Sequence, residues 1–547
     1  MKKLAAFGFA VLVVALAGAV SPPSAAAGPA LVLLQPDALP ATHGAGKAAA
    51  HGALRLHARE FAHAKAAANA RAGLGAQATR RRGGGGAPTV SSYANVSPSF
   101  NGTFQSGATP PDATGAIGPD RYIEAVNTQY AIYTRAGSLL NSGSLSALTG
   151  IPTGLFGYGL SDPQVMWDAK THRFYYATVY YDSLFFSENG IAVGWSTTAT
   201  PASSNDFCKY VISFGSELPD YPKLGDSSDF LLFGYNLFGF FASTYDGSEF
   251  AIVNKPPAGP TCPPASAFAL HTSGVLRNAD ASLAATPVPA NLVDDATGDG
   301  YVVANADLSV TPSASFVSVY SVSTTGTDAN GIPVPSVSGP TTISVPSYAM
   351  PADAPQSGSA YLLDTLDGRF EAAVAAVDPA RGNVPAVWTA HAVFGGAGSE
   401  ERWYEIDPAA GTLLQANTVS DASLFVWNGA VSPDRANGGT TAAFGDSMAM
   451  SVSTSSPSTY PAIQLVWQKG TSAQSPLKNL VQATGANVDL SCSSTEACRW
   501  GDYSGASPDP AATGSVGKVW LANQYNLAGG TTSSTAWRSW VFAVTPT

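Results

Sequence analysis

Two short stretches bring an arginine, an aromatic ring and a carboxylate within a few residues of one another: RWYEI at 402–406 and RWGD at 499–502. That mixture can stack on the apolar face of a sugar ring and make charge-assisted hydrogen bonds to its hydroxyls. Arg402, Trp403 and Arg499 are therefore candidate binding residues. Carboxylates recur around them. An Asp in a turn, then a short small-residue strand, a second turn and a strongly hydrophobic strand, begins at Asp112, Asp162, Asp220, Asp295, Asp367, Asp446 and Asp502. Two carboxylates can act as acid and base, or acid and nucleophile, at a glycosidic bond. Asp220, Glu405 and Asp502 are the catalytic candidates, with Asp112, Asp162 and Asp446 as further substrate contacts. A ring of such oxygens could also hold a Ca²⁺ ion, although no cofactor is required by the reading. Each Asp has a competing local role, because Asp beside Gly, Ser or Pro usually caps its own turn. In RWYEI, strand alternation sends Arg402 and Tyr404 to one face and Trp403 and Glu405 to the other, so half of that motif is packing.

The elements that must position these groups are strands. From Ala87 onward helical periodicity is almost absent, and runs such as RFYYATVYY, DFLLFGYNLFGFF, AVWTAHAVF and KVWLANQYN stand between turn clusters. About 460 residues is too long for one sandwich, which favours a closed, repeated architecture. The Asp repeats are 50, 58, 75, 72, 79 and 56 residues apart, one blade each of a β-propeller whose blades take about 40 to 50 residues plus loops. The fold expectation is all-β: a seven-bladed β-propeller over 89–547, with six or eight blades as alternatives, closed by pairing a strand near 89–96 with the terminal WRSWVFAVT. The repeated Asp would then ring one mouth of the central channel.

Two segments precede the propeller. Residues 1–27 have two lysines, an apolar run and a small-residue exit, the order of a cleaved signal peptide, with an uncleaved anchor as the alternative. Residues 28–88 form an Ala-rich basic pro-segment or linker, expected to be mobile, whose apolar positions are nearly all alanine. Residues 28–86 carry eight Lys or Arg against two acids. The remainder, from 87 on, has 17 basic and 36 acidic side chains, about −19, which argues against nucleic acid as a partner. Four cysteines in an exported chain allow three disulfide pairings; Cys492 with Cys498 is the first choice for its short loop, and Cys208 with Cys262 the second. P-loop, dinucleotide, Gly-x-Ser-x-Gly and His-Glu-x-x-His patterns do not occur.

As a set, PPDATGAIGPDRYIEAVNTQYAIY, SDPQVMWDAKTHRFYYA, DYPKLG, RWYEI, SVSTSSPSTYP and RWGDYSGASPDP resemble a family of exported bacterial β-propeller proteins of the sialidase-like, BNR type, over about residues 109–526. The resemblance implies the propeller and secretion, and carries no activity with it. The sialidase Asp-box, Ser-x-Asp-x-Gly-x-x-Trp, does not occur; residues 507–520 keep its Ser, Asp, Gly and Trp in order with extra residues between them. The resulting expectation is a secreted monomer, with no membrane insertion once the signal is removed, that binds or hydrolyses extracellular glycan at its funnel. The alternative is a non-enzymatic surface-binding or adhesion propeller.

Overall fold

A computed structural model describes residues 31–39, 54–74, 88–104, 107–153, 157–182, 187–239, 244–257, 259–293, 298–434, 445–512 and 517–547. The signal sequence at 1–27 and Asp295 lie outside the described residues. Seven sheets succeed one another along the chain, each built on four antiparallel strands; three sheets take a fifth strand, Val32–Leu34 on the outer edge of blade 2, Thr89–Val90 on the outer edge of blade 6, and Asn291–Leu292 parallel to Ala373–Asp378 in blade 5. The innermost strands are Thr114–Ile117, Tyr158–Asp168, Leu218–Asp226, Ala284–Pro289, Ala373–Asp378, Phe425–Pro433 and Gly505–Pro508, in blades 1 to 7. The chain is thus a seven-blade β-propeller.

Middle strands are buried on both faces between neighbouring blades, so they read as continuous hydrophobic runs. Every residue of Phe230–Phe238 and of Asn189–Ser196 is buried. Outer strands meet water on one side, and Val96–Asn101 accordingly alternates after its buried first residue. That strand closes the ring: it is the fourth strand of blade 7, antiparallel to Trp537–Val544. Closure uses the expected C-terminal partner, but its N-terminal half lies just beyond the expected stretch, and Thr89–Val90 instead extends blade 6. Joining the two ends of the chain in one sheet removes the edges that an open ring would expose. Aromatic pairs cement adjacent blades, as where Tyr122 of blade 1 stacks on Trp520 of blade 7 at 5.3 Å. Both expected disulfides form, Cys492 with Cys498 and Cys208 with Cys262.

The chain enters most inner strands through one device. Asp112, Asp162, Tyr221, Thr286 and Asn428 all have φ between 47° and 56°. In blades 2, 3, 4 and 6 the sheet register shifts at that point, as in a β-bulge that re-aims a side chain. Asp and Asn tolerate this left-handed conformation through local hydrogen bonds. The Asp of the sequence repeat occupies that position in blades 1 and 2; Asp220 stands one residue before it in blade 3. The opposite ends of the inner strands carry a second series, Asp168, Asp226, Asp378, Asp434 and Asp509. These acids accept backbone N–H bonds of 2.7 to 2.9 Å from Lys170, Leu292, Ala380, Gly445 and Ala511 respectively. They cap turns and tie one blade to the next, the local role that competes with chemistry.

One buried acid lies at the seam between blades 1 and 7. Glu124 accepts from Thr103 N–H at 2.8 Å and from Tyr133 O–H at 3.3 Å, and burial pushes its pKa up to about 7. A folded-state pKa above the unfolded value means the folded protein binds this proton more tightly. Stability from this group is therefore full below about pH 4.5 and is lost as pH rises to about 7. Glu124→Gln should remove that slope, a difference on the order of 3 kcal/mol. Urea midpoints at pH 5 and pH 8 would measure it, and an unchanged difference between the two pH values would refute the assignment.

Candidate functional site

At the mouth where the chain enters the inner strands, acids from four blades converge. Asp112 is fully buried; its Oδ1 accepts from the Asp502 N–H at 2.7 Å and its Oδ2 from Asn127 Nδ2 at 2.7 Å. Asn127 Oδ1 in turn accepts from the Asp162 N–H at 2.7 Å, so one amide ties the entries of blades 1 and 2. Arg499 Nη2 donates to both oxygens of Asp502 at 2.5 Å, and its Nε lies 3.9 Å from Asp364. Arg369 pairs with Asp367, at 2.7 and 2.5 Å, and its guanidinium stands 4.7 Å from the centre of the Tyr221 ring. Tyr221 O–H donates to the Asp502 carbonyl at 2.7 Å. Beneath them the Lys223 ammonium sits against the rings of Tyr503 and Tyr221, 3.4 and 4.0 Å from their centres, and is buried with no hydrogen-bond partner among the described residues.

This crowding changes the acids. Burial first, then the neighbouring Asp162, pushes Asp220 up to about 8 against the opposing pull of Arg369. Asp162 rises to about 6, through burial and Asp502. Asp112 is held well above the ordinary carboxylate range by burial, Asp502 and Asp162. Glu371 is raised by burial and by Glu401, and Glu401 rises to about 8 through burial. Burial also lowers Lys223 to about 7, although Glu371 and the mouth aspartates resist. Asp220 is the member of the set left partly exposed, and its raised pKa favours the protonated carboxyl. A cavity of about 50 Å³ adjoins the cluster at Lys223 and is lined in part by Thr114, Gln164, Lys223, Val288 and Ala372. It has room for ordered water.

The structure brings together Asp112, Asp162, Asp220, Asp502 and Arg499. It does not bring the other candidates there. Glu405, buried, accepts from Gln415 Nε2 at 2.7 Å and lies 4.0 Å from Arg381, in the turn that follows the inner strand of blade 5. That turn is at the other end of the blade. Arg402 donates to the Pro346 and Ser347 carbonyls at 3.0 and 2.8 Å, holding the outer strand of blade 4. Trp403 is buried against Trp388 at 5.6 Å and donates to Gln474 at 2.7 Å. RWYEI is packing in both halves. Asp446 follows the inner strand of blade 6 and accepts from Ser447 Oγ at 3.0 Å; it belongs to the exit end. Lys223, Arg369, Asp364, Glu371 and Glu401 are members of the cluster that the repeat does not reveal. For Lys223 there is a signal, since it stands two residues after the left-handed entry residue, in the position that faces the channel. Among the described residues, no group of three or more His, Cys, Asp or Glu side chains is arranged to hold a metal ion, and no helix is long and apolar enough to cross a membrane.

Part of the Ala-rich leader, expected to be mobile, is docked on this mouth. Leu56 is buried among Val179, Leu218, Phe238 and Ala285 of blades 2 to 4. Arg55 pairs with Asp364, the acid beside Arg499, and His57 Nδ1 lies 2.6 Å from Asp307. The helix Ala58–Arg71 sets Phe61, Ala64, Ala68 and Ala72 on the core of blades 4 and 5, one face of a helix at 3.6-residue spacing.

The class this geometry defines is a seven-blade propeller with an acidic entry mouth. No family model matches the chain, and no curated protein matches it in sequence. Solved structures overlap with it distantly. The Dos1 propeller is 11% identical, over 82% of this chain and 93% of that one, with a TM-score of 0.35. A Trypanosoma rangeli sialidase in complex with sialic acid is 10% identical, over 70% of this chain and 54% of that one, at 0.32. An exo-β-1,3-galactanase from Clostridium thermocellum is 11% identical, over 55% and 60%, at 0.28. This chain thus spans 60% or less of the length of the two enzymes. Likeness at this level carries no chemistry across, and the propeller rests on the chain's own seven sheets.

Proposed function

We propose that this is an exported propeller that engages extracellular carbohydrate at its entry mouth and hydrolyses a glycosidic bond there. The observation that carries the reading is the convergence of Asp112, Asp162, Asp220 and Asp502 around Arg499, with one of them, Asp220, partly exposed and raised to about 8. In this reading Asp220 donates its proton to the glycosidic oxygen as the C–O bond breaks. Asp502 takes the proton of the water that attacks the anomeric carbon. Arg499 fixes Asp502 in place and offers its remaining N–H donors to sugar hydroxyls.

One observation favours binding without turnover: both oxygens of Asp502 already accept from Arg499, and its backbone N–H is taken by Asp112. A panel of plant, microbial and host polysaccharides separates the readings. Hydrolysis predicts reducing ends released from at least one member and lost in the Asp220→Asn/Asp502→Asn double variant. Binding alone predicts retention on an immobilised member of the panel with no release. Neither retention nor release by the wild type would sink both.

A further inference from the structure

The leader's docking site has the construction of a ligand site. Lys65 is 5% exposed. Its ammonium donates to the Leu366 carbonyl at 2.5 Å, Thr365 Oγ1 at 2.8 Å and the Pro351 carbonyl at 3.1 Å, and it pairs with Asp353 at 3.2 Å. An ammonium has three protons, and here all three find oxygen. Arg55 and Asn69 flank it, on Asp364 and on Asp353.

The receiving oxygens are held by the propeller itself. Thr365 O–H donates to the Ala352 carbonyl at 2.9 Å, and Leu366 N–H to Asp364 at 3.0 Å. Ala354 and Leu363 exchange both backbone bonds at 2.8 Å. The Asp364 N–H donates to the Cys498 carbonyl at 2.9 Å, anchoring the seat to the disulfide-closed loop. Leu366 is left-handed, with φ of 60°, and its carbonyl accepts the shortest of the ammonium's bonds. None of these bonds involves the leader. Residues 54–74, for their part, contribute no strand to any of the seven sheets, each of which has four or five strands without them. Their contacts are side chains laid on a finished surface. The charges match as well, residues 28–86 with a surplus of six positive charges on residues 87–547 with about −19.

We infer that the entry mouth carries a preformed binding site for the lysine side chain of a basic helical polypeptide segment, and that the leader is its tethered ligand. The site is distinct from the Asp220–Asp502 pair and touches it through Asp364, which Arg55 and Arg499 share. The inference does not depend on the carbohydrate reading, because its readout is peptide binding. A tether of this kind raises the local concentration of its ligand to the millimolar range, so a free peptide competes only after the tether is cut.

A specific protease site placed at residues 83–86 of the full chain, with a fluorescent peptide of residues 54–74 as probe, tests this. The probe should exchange onto the cut protein and not onto the uncut one, and a Lys65→Met probe should bind about thirtyfold or more weakly, because it removes the cation from Asp353 and leaves three oriented acceptors without their donor. Failure of the probe to bind the cut, still folded protein, or equal binding of the Lys65→Met probe, would overturn the inference. Should cutting unfold the propeller, hydrogen exchange on the intact Asp353→Asn variant decides. Exchange in the helix Ala58–Arg71 should accelerate at least tenfold while the blade strands keep wild-type protection; unchanged protection of the helix, or equal acceleration throughout the blades, would also overturn it.

Discussion

Arg499→Met is expected to lower the folding stability of the protein by about 3–5 kcal/mol, the loss typical of breaking a buried pair from one side. Arg499 places one guanidinium between Asp502, at 2.5 Å from both oxygens, and Asp364, at 3.9 Å. Asp502 has Asp112 and Asp162 as like-charged neighbours, each of which is raised in part by it. Methionine fills much of the same volume and removes the only guanidinium in contact with Asp502 among the described residues. The remaining acids must then bind protons to lie side by side. The defect should consequently shrink as pH falls: acids whose folded pKa is raised contribute stability that is present below their ordinary pKa and lost as pH rises, here toward about 8 for Asp220. Arg402→Met is the control, since Arg402 serves two carbonyls and Glu400 at the edge of blade 4; about 1 kcal/mol is expected there. Chemical denaturation at pH 5 and pH 8 measures both. Equal losses for the two variants, or a loss for Arg499→Met that does not depend on pH, would contradict the electrostatic account of the mouth.

Asp220→Asn is expected to leave the fold intact and to reduce turnover by roughly 10² to 10⁴, the contribution of a positioned general acid. Asparagine keeps the shape and the hydrogen-bonding capacity of a protonated carboxyl, which is the form burial imposes on Asp220, so stability should change little. The pH profile gives the sharper readout. A general acid must hold its proton, so wild-type turnover should decline as pH rises through about 8. The Asn variant has no proton to lose, and its residual rate should not show that decline. A variant that retained the alkaline limb would assign the titration to another group, with Glu401, also raised to about 8, as the first to test.

The fold was legible in the sequence because a propeller writes its period in both turns and strands. Buried middle strands such as Phe230–Phe238 are hydrophobic throughout, and Asp or Asn marks many of the turns between them. The closing strand was harder, since VSPSFN at 96–101 has only Val96 and Phe100 as large apolar residues and a proline between them, so the expected stretch stopped at Val96. The same economy blurred the site. Each inner strand begins and ends in a turn that favours Asp, and composition alone does not say which end a given Asp occupies. Asp112, Asp162, Asp220 and Asp502 are at the entry, whereas Asp446 is at the exit. Glu405 and Trp403 were misplaced for a different reason: strand alternation says that two faces exist and not that, in a blade, both are buried against neighbours. Arg369, Asp364 and the Lys65 seat come from the long connection between blades 4 and 5, residues 349–372. Their partners lie up to about 300 residues away, and no local pattern announces them.

The central claim is that chemistry resides at the entry mouth and that RWYEI is packing. Its most direct test is reducing-sugar release from whichever polysaccharide the wild type cleaves, measured side by side for Asp220→Asn and Glu405→Gln. The account predicts a loss of at least about a hundredfold for the first and a rate within about threefold of wild type for the second, whose side chain is already neutralised, raised to about 9 by burial and Asp378. Full activity in Asp220→Asn, or a comparable loss in Glu405→Gln with the fold intact, would contradict it.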